Sequence, residues 1–255
     1  MNKRKQIILL VLLIFLLFII NYPFLDSAVE DFLSEKEIVT RVIDGDTVVI
    51  NNESIRLLGI NCPEKGEKYY QEAKDFLNKI VLDKKVSLEG NTKDIYFRKL
   101  SYLFLEGENI NLKIIEEGLA NVYILDNKLY EKELRNAWEN CIIKNKNLCE
   151  KSEEKCGNCI ELKKLDYKSQ EIIFYNKCNF DCDLKDWTIK DEGRKKFIFR
   201  DFILRRNNEI KIIAGEGINN KNTLFWKGED YVWTSAGDTL FLRDDEGKLV
   251  LWENY

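Results

Sequence analysis

The sequence predicts a mainly β protein with helices, arranged as a small barrel and a second β-rich domain behind an N-terminal membrane helix. Three observations lead to this fold class. Residues 7–20 are continuously apolar and follow a cluster of cations. Residues 38–149 alternate β-rich runs with segments of helical periodicity. Residues 160–255 hold short β-rich runs with turns at roughly 8–12-residue spacing.

The composition limits the chemistry that the chain can perform. The chain has 255 residues, which is enough for two domains of ordinary size. Its formal net charge is −4, so any binding of a polyanion must rely on a local basic site and not on the overall field. The sequence contains no histidine, which excludes Ser-His-Asp and Cys-His catalysis and every histidine-ligated metal site.

The first 28 residues are typical of an export segment. Cations at residues 3–5 precede the apolar run 7–20, so we expect a cytoplasmic N-terminus and an exported remainder. The run extends about 21 Å as a helix, which is short for a ~30 Å bilayer core, and continuation through Leu25 nearly closes the gap. A signal anchor is favoured over a cleaved signal peptide, because Asp26 stands where cleavage needs a small residue. Residues 29–37 are predicted to form a polar spacer.

The first domain begins with a predicted hairpin. Residues 41–50 and 55–60 are β-rich runs on either side of a polar Asn-Asn-Glu turn at 51–53. We expect Gly45 to give the first run its turn through backbone freedom, and Pro63 to end the second run because proline cannot continue a ladder.

Three polar residues stand at the edges of these apolar strands. They are Asp46, Arg56 and Glu64. Two carboxylates and a guanidinium at strand ends are suited to a metal-assisted site for a phosphoester.

The rest of the first domain alternates helices with strands. Apolar spacing predicts helices at 65–82 and 110–117, the second closed by Gly118, and a long helix capped by Asp126. That helix would end near Asn147 and place one apolar face inward, formed by Leu129, Leu134, Ala137, Trp138 and Cys141. Strands are predicted at 84–90 and 99–105. Five strands and about three α-helices suit a Greek-key barrel of the OB type.

Three motifs in residues 38–149 resemble the thermonuclease (staphylococcal nuclease-like) family. They are the Asp-Gly-Asp-Thr strand, the segment from Arg56 to Glu64, and Asp94-Ile95-Tyr96-Phe97-Arg98-Lys99-Leu100-Ser101-Tyr102. The resemblance implies an OB-type barrel and a phosphodiester hydrolase that requires Ca²⁺, acts on DNA or RNA, and leaves 3′-phosphate products.

The resemblance also implies roles for individual residues. Ca²⁺ would be held by Asp46, by Asn61 and by the backbone carbonyl of Cys62. The family usually has a carboxylate at the second position, so Asn61 should weaken calcium binding. Arg56 and Arg98 would bind the phosphate, and Glu64 would act as general base. Two tyrosines behind this loop are further substrate-binding candidates, either stacking on a base or packing locally: Tyr69 and Tyr70.

Residues 160–255 resemble a lamin-tail domain. The resemblance rests on Leu184-Lys185-Asp186-Trp187, on Phe197 and Phe199, on Trp233, and on Gly237-Asp238-Thr239-Leu240-Phe241-Leu242. It implies an Ig-like β-sandwich used for attachment or interaction, with an unidentified partner. Strands are predicted at 171–176, 187–190, 197–202, 209–214, 239–243 and 248–252. The core is predicted to contain Trp187, Trp226, Trp233 and Trp252.

The linker at 150–159 and its flanks carry most of the cysteines. Six of the seven lie there: Cys141, Cys149, Cys156, Cys159, Cys178 and Cys182. The last four have spacing close to a zinc pattern, and zinc would bind there if the protein were intracellular. Export favours three disulfides instead, with Cys62 as the free thiol. Cys141–Cys149 is the favoured pair, and the other four cysteines cannot be paired from the sequence.

Two functional hypotheses follow from these observations. The first is a monomeric, calcium-dependent nuclease, membrane-anchored or secreted, whose domains at 38–149 and 160–255 lie outside the cytoplasmic membrane. The second is a non-catalytic module in which the barrel binds nucleic acid or protein. The joint presence of Arg56, Glu64 and Arg98 favours the first.

Overall fold

The computed structural model describes residues 36–124 and 129–255, together with residues 3–4, 10–13, 15–17 and 19 of the N-terminal segment. The described N-terminal residues are helical. Within the part of the chain that is described, no helix is both long and apolar enough to cross a membrane. The expected export segment lies mostly outside the described residues, and so does the spacer apart from its last two residues.

The N-terminal domain consists of eight strands and three α-helices among the residues described. The strands are β1 Glu37–Asp44, β2 Thr47–Ile50, β3 Glu53–Leu57, β4 Gly59–Asn61, β5 Lys85–Lys93, β6 Lys99–Leu105, β7 Glu108–Asn109 and β8 Asn121–Tyr123. The helices are α1 Tyr70–Val81, α2 Ile110–Glu116 and α3 Glu131–Lys144, and a 3₁₀ turn follows at Asn147–Cys149.

Five strands close into a barrel in the order β3-β2-β1-β5-β6. Parallel pairing of β3 with β6, in which Arg56 lies opposite Leu100, joins the two ends of the sheet. Closure pairs the two end strands of the barrel with each other, which is how small β-barrels avoid edge pairing with other chains, and the short β7 pairs with β6. The five-stranded barrel expected from the sequence is therefore confirmed.

The β2–β3 hairpin forms as expected, through its two asparagines. Asn51 and Asn52 both adopt left-handed backbone angles, with φ of 50° and 64°, and Ile50 pairs with Glu53. Two consecutive left-handed residues match the right-handed twist of the flanking strands, and asparagine tolerates this conformation.

The expected role of Gly45 was wrong. This glycine does not lie in the left-handed region, and a Cβ there would come within 2.7 Å of Ala73 Cβ and 2.8 Å of Cys62 Sγ. Close packing against α1, and not backbone freedom, therefore requires glycine at this position.

The boundaries of α1 and α3 differ from those predicted. Helix α1 begins at Tyr70 and not at residue 65, because residues 64–69 form turns in which the Glu67 amide donates to the Glu64 carbonyl at 2.8 Å and Gly66 has φ of 93°. Helix α3 begins at Glu131, after Leu129, and the predicted cap at Asp126 lies outside the described residues. The helix ends at Lys144, followed by Asn145 as its cap with a left-handed φ of 53°, and not near Asn147. Its predicted inward face is otherwise buried: Leu134, Ala137, Trp138 and Cys141.

The C-terminal domain is built from two four-stranded sheets and a short strand pair. The strands are β9 Ile160–Asp166, β10 Glu171–Asn176, β11 Cys182–Asp183, β12 Thr188–Lys190, β13 Lys196–Ile198, β14 Ile203–Leu204, β15 Glu209–Ala214, β16 Thr223–Trp226, β17 Thr239–Arg243 and β18 Leu249–Asn254. The sheets have the orders β16-β15-β10-β9 and β13-β12-β17-β18, and β11 pairs with β14. Of the strand predicted at 197–202, only the first two residues are in a strand, β13, and the chain leaves the sheet before β14, with a left-handed φ of 43° at Asp201.

Aromatic residues fill the core between the two sheets. Trp187, Trp226 and Trp233 are buried there with aliphatic residues from both sheets, as predicted. Trp252 is half-buried and packs against the core of the barrel, so its predicted place in the second core was wrong.

Three disulfides link the residues between the barrel and the sandwich. They join Cys141 to Cys149, Cys156 to Cys182, and Cys159 to Cys178. The predicted Cys141–Cys149 pair is confirmed, and Cys62 is a buried free thiol as expected. The four cysteines of the zinc-like spacing are all engaged in disulfides.

The two domains share one apolar core at their junction. Phe241 of β17 and Leu249 of β18 belong to the barrel core, and the Phe241 ring lies 5.3 Å from the Trp138 ring in an edge-to-face contact. Arg243 is buried beside them and donates to the Leu148 carbonyl and to Asn121 Oδ1. The sandwich is therefore held against the barrel by buried contacts as well as by the connecting chain.

Candidate active site

Barrel closure brings the two predicted phosphate-binding arginines to one cavity. Arg56 lies in β3 and pairs across to Leu100 of β6, and Arg98 precedes β6 by one residue. Both side chains line a cavity of about 390 Å³, together with Asn61 and Tyr123. The cavity is open to solvent and wide enough to admit a phosphate group.

Arg56 is buried and held in place by the backbone that follows its strand. Its Nη1 donates to the carbonyl of Leu57 at 2.6 Å and to that of Ile60 at 2.9 Å. Its Nη2 lies 3.1 Å from Asp46 Oδ2. A guanidinium fixed in this way loses little conformational freedom when it binds a ligand, which favours tight and oriented binding.

Asp46 faces this arginine from the turn between β1 and β2. Its carboxylate also accepts hydrogen bonds from the Cys62 amide at 2.9 Å and from Thr47 Oγ1 at 3.1 Å. Burial raises the pKa of Asp46, and Arg56 beside it acts in the opposite direction. Burial also raises the pKa of the Cys62 thiol well above its usual range, which keeps this sulfur protonated and unreactive.

Two of the three oxygens predicted to hold a metal ion lie beside the buried Arg56 guanidinium. Asp46 Oδ2 and Asn61 Oδ1 lie 3.1 Å and 3.4 Å from the same nitrogen, Arg56 Nη2. Carboxylate and amide oxygens are hard ligands of the type that Ca²⁺ prefers, so the chemistry of these donors fits calcium. Among the described residues, no group of three or more acidic or cysteine side chains is arranged to hold a metal. Any calcium bound here would therefore depend partly on neutral oxygens.

Arg98 is positioned by a local ion pair. Its Nε lies 2.8 Å from Asp94 Oδ2, and the Asp94 carboxylate also accepts from the Arg98 amide at 3.0 Å. Burial opposes ionisation of Asp94, but the hydrogen bonds from Arg98 outweigh it and lower the pKa of this carboxyl. The Arg98 guanidinium also lies 5.5 Å from the ring centre of Tyr96.

Glu64, the predicted base, is half-exposed beyond the end of β4. Its amide donates to Glu67 Oε2 at 3.0 Å, which fixes the loop. Its carboxylate lies 2.9 Å from Nε of Arg194, a residue of the C-terminal domain. Arg194 in turn lines the cavity with Arg56 and Arg98. Glu64 is not among the described residues that line the cavity of the two arginines, and its pair with Arg194 is what links it to that cavity.

A loop of the C-terminal domain forms part of the cavity wall, and sequence reasoning missed it. Residues 191–195 connect β12 to β13, and the carbonyls of Glu192 and Gly193 accept hydrogen bonds from Asn61 Nδ2. These bonds turn Asn61 Oδ1 toward Arg56. The contacts join residues more than a hundred positions apart, so no local pattern in the sequence could have indicated them.

Two carboxyl groups of this loop, those of Asp191 and Glu192, lie near that of Asp238. Burial and the neighbouring Asp238 raise the pKa of Asp191 to about 7 and that of Glu192 to about 8. Burial also raises the pKa of Asp238 itself. The three line an adjoining cavity of about 630 Å³ between the domains.

Neither tyrosine candidate is among the described residues that line the cavity of the two arginines. Tyr69 packs against the barrel core with a left-handed φ of 68°, and Tyr70 begins α1. Tyr96 and Tyr123 line the cavity instead.

Comparison with known proteins identifies two families along the chain. Residues 54–151 match the family described as staphylococcal nuclease homologue, and residues 157–255 match the lamin tail domain. The first match contains Arg56, Asn61, Glu64 and Arg98, and the second contains the 191–195 loop.

Individual relatives match the barrel region. A thermonuclease of Staphylococcus intermedius is 37% identical over 110 residues, which is 38% of this chain and 65% of that protein. A thermonuclease of Staphylococcus hyicus is 31% identical over 128 residues, 45% of this chain and 76% of that protein. An uncharacterized endonuclease of Haemophilus influenzae is 37% identical over 90 residues, 33% of this chain and 51% of that protein. The chain thus spans just under two thirds of the first relative and about half of the third.

Proposed function

The chain belongs to the staphylococcal nuclease homologue family, and we propose that it is a calcium-dependent nuclease that hydrolyses phosphodiester bonds of DNA or RNA. The observation that carries this proposal is the convergence of Arg56 and Arg98 on one cavity, next to the oxygens of Asp46 and Asn61. Two guanidiniums, with two hard oxygen donors beside one of them, suit a phosphodiester, whose negative charge must be stabilised during cleavage.

The two arginines are assigned to the scissile phosphate. A guanidinium can donate two parallel hydrogen bonds to phosphate oxygens, and both arginines would counter the charge that accumulates on them in the transition state. Arg56 is oriented for this by the carbonyls of Leu57 and Ile60. Arg98 would exchange part of its pairing with Asp94 for the phosphate.

Glu64 is assigned the role of general base. Its carboxylate is half-exposed, so a water molecule can reach it and lose a proton to it. The attacking oxygen would then form the new bond to phosphorus while the bond from phosphorus to the 5′ oxygen of the next nucleotide breaks. That oxygen would take a proton from solvent, which gives a 3′-phosphate product and a 5′-hydroxyl product.

Calcium would be held by Asp46, Asn61 and the backbone carbonyl of Cys62. When bound, it would supply positive charge to a phosphate oxygen. With Asn61 in place of a second carboxylate, the site carries less negative charge, so we expect weak calcium binding.

We place the protein outside the cytoplasm, as a monomer anchored in or released from the membrane. Three disulfides support this placement, since such bonds persist in oxidising compartments. In this proposal the lamin-tail domain serves attachment or interaction while it also borders the active-site cavity.

The test is cleavage of labelled single-stranded DNA by the purified protein with Ca²⁺ or with a chelator. We expect cleavage only when Ca²⁺ is present. Treatment of the products with a phosphatase should remove their 3′-phosphates and so change their electrophoretic mobility. Glu64→Gln and Arg98→Ala should each slow cleavage by about 10²–10⁴. Arg205→Gln is a matched control, because Arg205 forms a surface pair with Asp181 in another part of the sandwich. Cleavage at the wild-type rate by both site variants would refute the assignment.

A further inference from the structure

The 191–195 loop of the C-terminal domain reaches the cavity that contains Arg56 and Arg98. Asp191, Gly193, Arg194 and Lys195 all line that cavity. The loop is internally braced, since the Lys195 amide donates to Asp191 Oδ1 at 2.9 Å and the Glu192 amide donates to Asp238 Oδ1 at 3.2 Å. Its shape is therefore set within the sandwich and not by contact with the barrel alone.

Ion pairs between the domains hold this loop over the barrel. Lys190 and Lys196, the residues on either side of the loop, lie 3.2 Å and 2.8 Å from the carboxylate of Glu67. Burial opposes ionisation of Glu67, but the two lysines outweigh it and lower its pKa to about 2. The edge-to-face contact of Phe241 with Trp138 holds the same face of this sheet on the barrel, since Phe241 lies directly opposite Lys190 in the pairing of β12 with β17. These contacts dock the sandwich on the barrel and so hold Arg194 at the cavity.

The two cations of the loop differ in their availability. The Lys195 ammonium pairs with Glu229 at 3.3 Å and donates to the Tyr231 carbonyl, so it is already bound within the sandwich. Arg194 instead extends toward the barrel, where it pairs with Glu64. Its side chain is 59% exposed, and that of Glu64 is 49% exposed.

Because both side chains of the Arg194–Glu64 pair are exposed, this ion pair does not hold Arg194 firmly in one position. A solvent-exposed ion pair favours the paired state by roughly fivefold or less. A phosphate group offers the guanidinium a bidentate partner, which is stronger than a single exposed contact to a carboxylate. An incoming strand can therefore take Arg194 from Glu64 and leave the carboxylate free to act as base.

On the basis of the nuclease function proposed above, we propose that Arg194 is a substrate-positioning residue that binds a backbone phosphate of the nucleic acid strand next to the scissile one. The lamin-tail domain then forms part of the substrate-binding site, and the barrel supplies the reacting groups. Arg56 and Arg98 hold the phosphate that is cleaved, while Arg194 fixes the position of the strand from the opposite wall.

The test compares Arg194→Gln with Arg205→Gln in the full-length protein. Arg205 is the matched control because it is also a surface arginine of the sandwich, 70% exposed and paired with a carboxylate at 2.8 Å. Steady-state kinetics use a single-stranded DNA oligonucleotide with Ca²⁺. Binding of the same oligonucleotide is measured with a chelator present, over a range of salt concentrations.

We expect Arg194→Gln to raise KM and the dissociation constant about 5–10-fold, with a much smaller change in kcat. The slope of log affinity against log salt should fall by about 0.7, the value for loss of one contact to a single-stranded phosphate. Arg194→Lys should recover the salt slope, because it keeps the charge. Arg205→Gln should match the wild type in all of these measurements.

Two results would overturn the role of Arg194. A rise in kcat for Arg194→Gln would mean that the pair with Glu64 restrains the base. Binding and salt slope equal to those of the wild type would mean that Arg194 does not contact the strand. Failure of the nuclease function itself looks different, since the wild type would then cleave no better than Arg98→Ala. The binding measurement with chelator decides the role of Arg194 in either case.

Discussion

Phe241 offers the sharpest test of how the two domains are coupled. This residue lies on β17, where side chains alternate between two cores. Its neighbours Leu240 and Leu242 face the core of the sandwich, whereas Phe241 belongs to the barrel core and contacts Trp138. Phe241→Ala should therefore destabilise the barrel although the residue belongs to the other domain.

The size of the effect follows from burial. Phe241 is 1% exposed, and removing a fully buried phenylalanine ring typically costs about 3–5 kcal/mol, including the cavity it leaves. The edge-to-face contact with Trp138 accounts for about 0.5–1.5 kcal/mol of this. Leu242→Ala is the control, since Leu242 is equally buried and should cost about 2–5 kcal/mol in the sandwich.

Native-state hydrogen exchange measured by mass spectrometry separates the two domains. Amides of α3, which carries Trp138, report on the barrel, and amides of β15 report on the sandwich. We expect Phe241→Ala to lower protection of α3 by about 3 kcal/mol or more, and Leu242→Ala to act mainly on β15. Unchanged α3 protection in Phe241→Ala, or equal loss from both variants, would refute a shared core.

Three further predictions concern calcium, acid and the disulfides. Asn61→Asp should tighten Ca²⁺ binding, because it adds a carboxylate beside Asp46; a calorimetric titration with unchanged affinity would exclude Asn61 as a ligand. Glu67→Gln should lower stability at pH 7 by about 1–2 kcal/mol. Its pKa is about 2 instead of the ordinary 4.5, so the stabilisation is present above pH 4.5 and disappears as the pH falls toward 2. When the free energy of unfolding is measured against pH, the variant should lose less stability than the wild type between pH 4.5 and 2. Parallel curves for the two proteins would contradict this role of Glu67. Cys141→Ser should cost about 2–3 kcal/mol, the value for an eight-residue loop, and thermal unfolding with an unchanged midpoint would argue that the Cys141–Cys149 bond does not form.

Several features were determined by local sequence. Asn51-Asn52 specifies the hairpin because both residues tolerate the left-handed angles that a two-residue turn needs. Cys141 and Cys149 are eight residues apart across a helix end, so a short reversal is enough to bring their Cα atoms to 5.8 Å. Tryptophan positions in the sandwich were predictable since large aromatic side chains dominate such cores, with Trp252 as the exception.

Boundaries were less predictable where packing and local polar contacts compete with periodicity. The helix was predicted from residue 65, although the apolar spacing that marks α1 begins only at Ala73, and hydrogen bonds between Glu64 and Glu67 hold the chain in turns until Tyr70. Gly45 was recognisable as a required glycine, yet its reason is contact with Cys62 and Ala73, which only the folded barrel brings near.

The sequence by itself determined which residue types are available for phosphate and metal binding, because Asp46, Arg56 and Glu64 lie on one hairpin and its exit loop. The family resemblance assigned Arg98 to the phosphate as well, but only the tertiary structure shows that the parallel pairing of β3 with β6 brings it to the cavity of Arg56, and that Arg194 faces Glu64. The physical reason is that strand pairing and domain docking join residues far apart in the sequence, and both depend on how the buried surfaces fit together. On β17, Phe241 packs into the core of the barrel and the next residue, Leu242, packs into the core of the sandwich. This arrangement docks the sandwich on the barrel and places the 191–195 loop at the cavity.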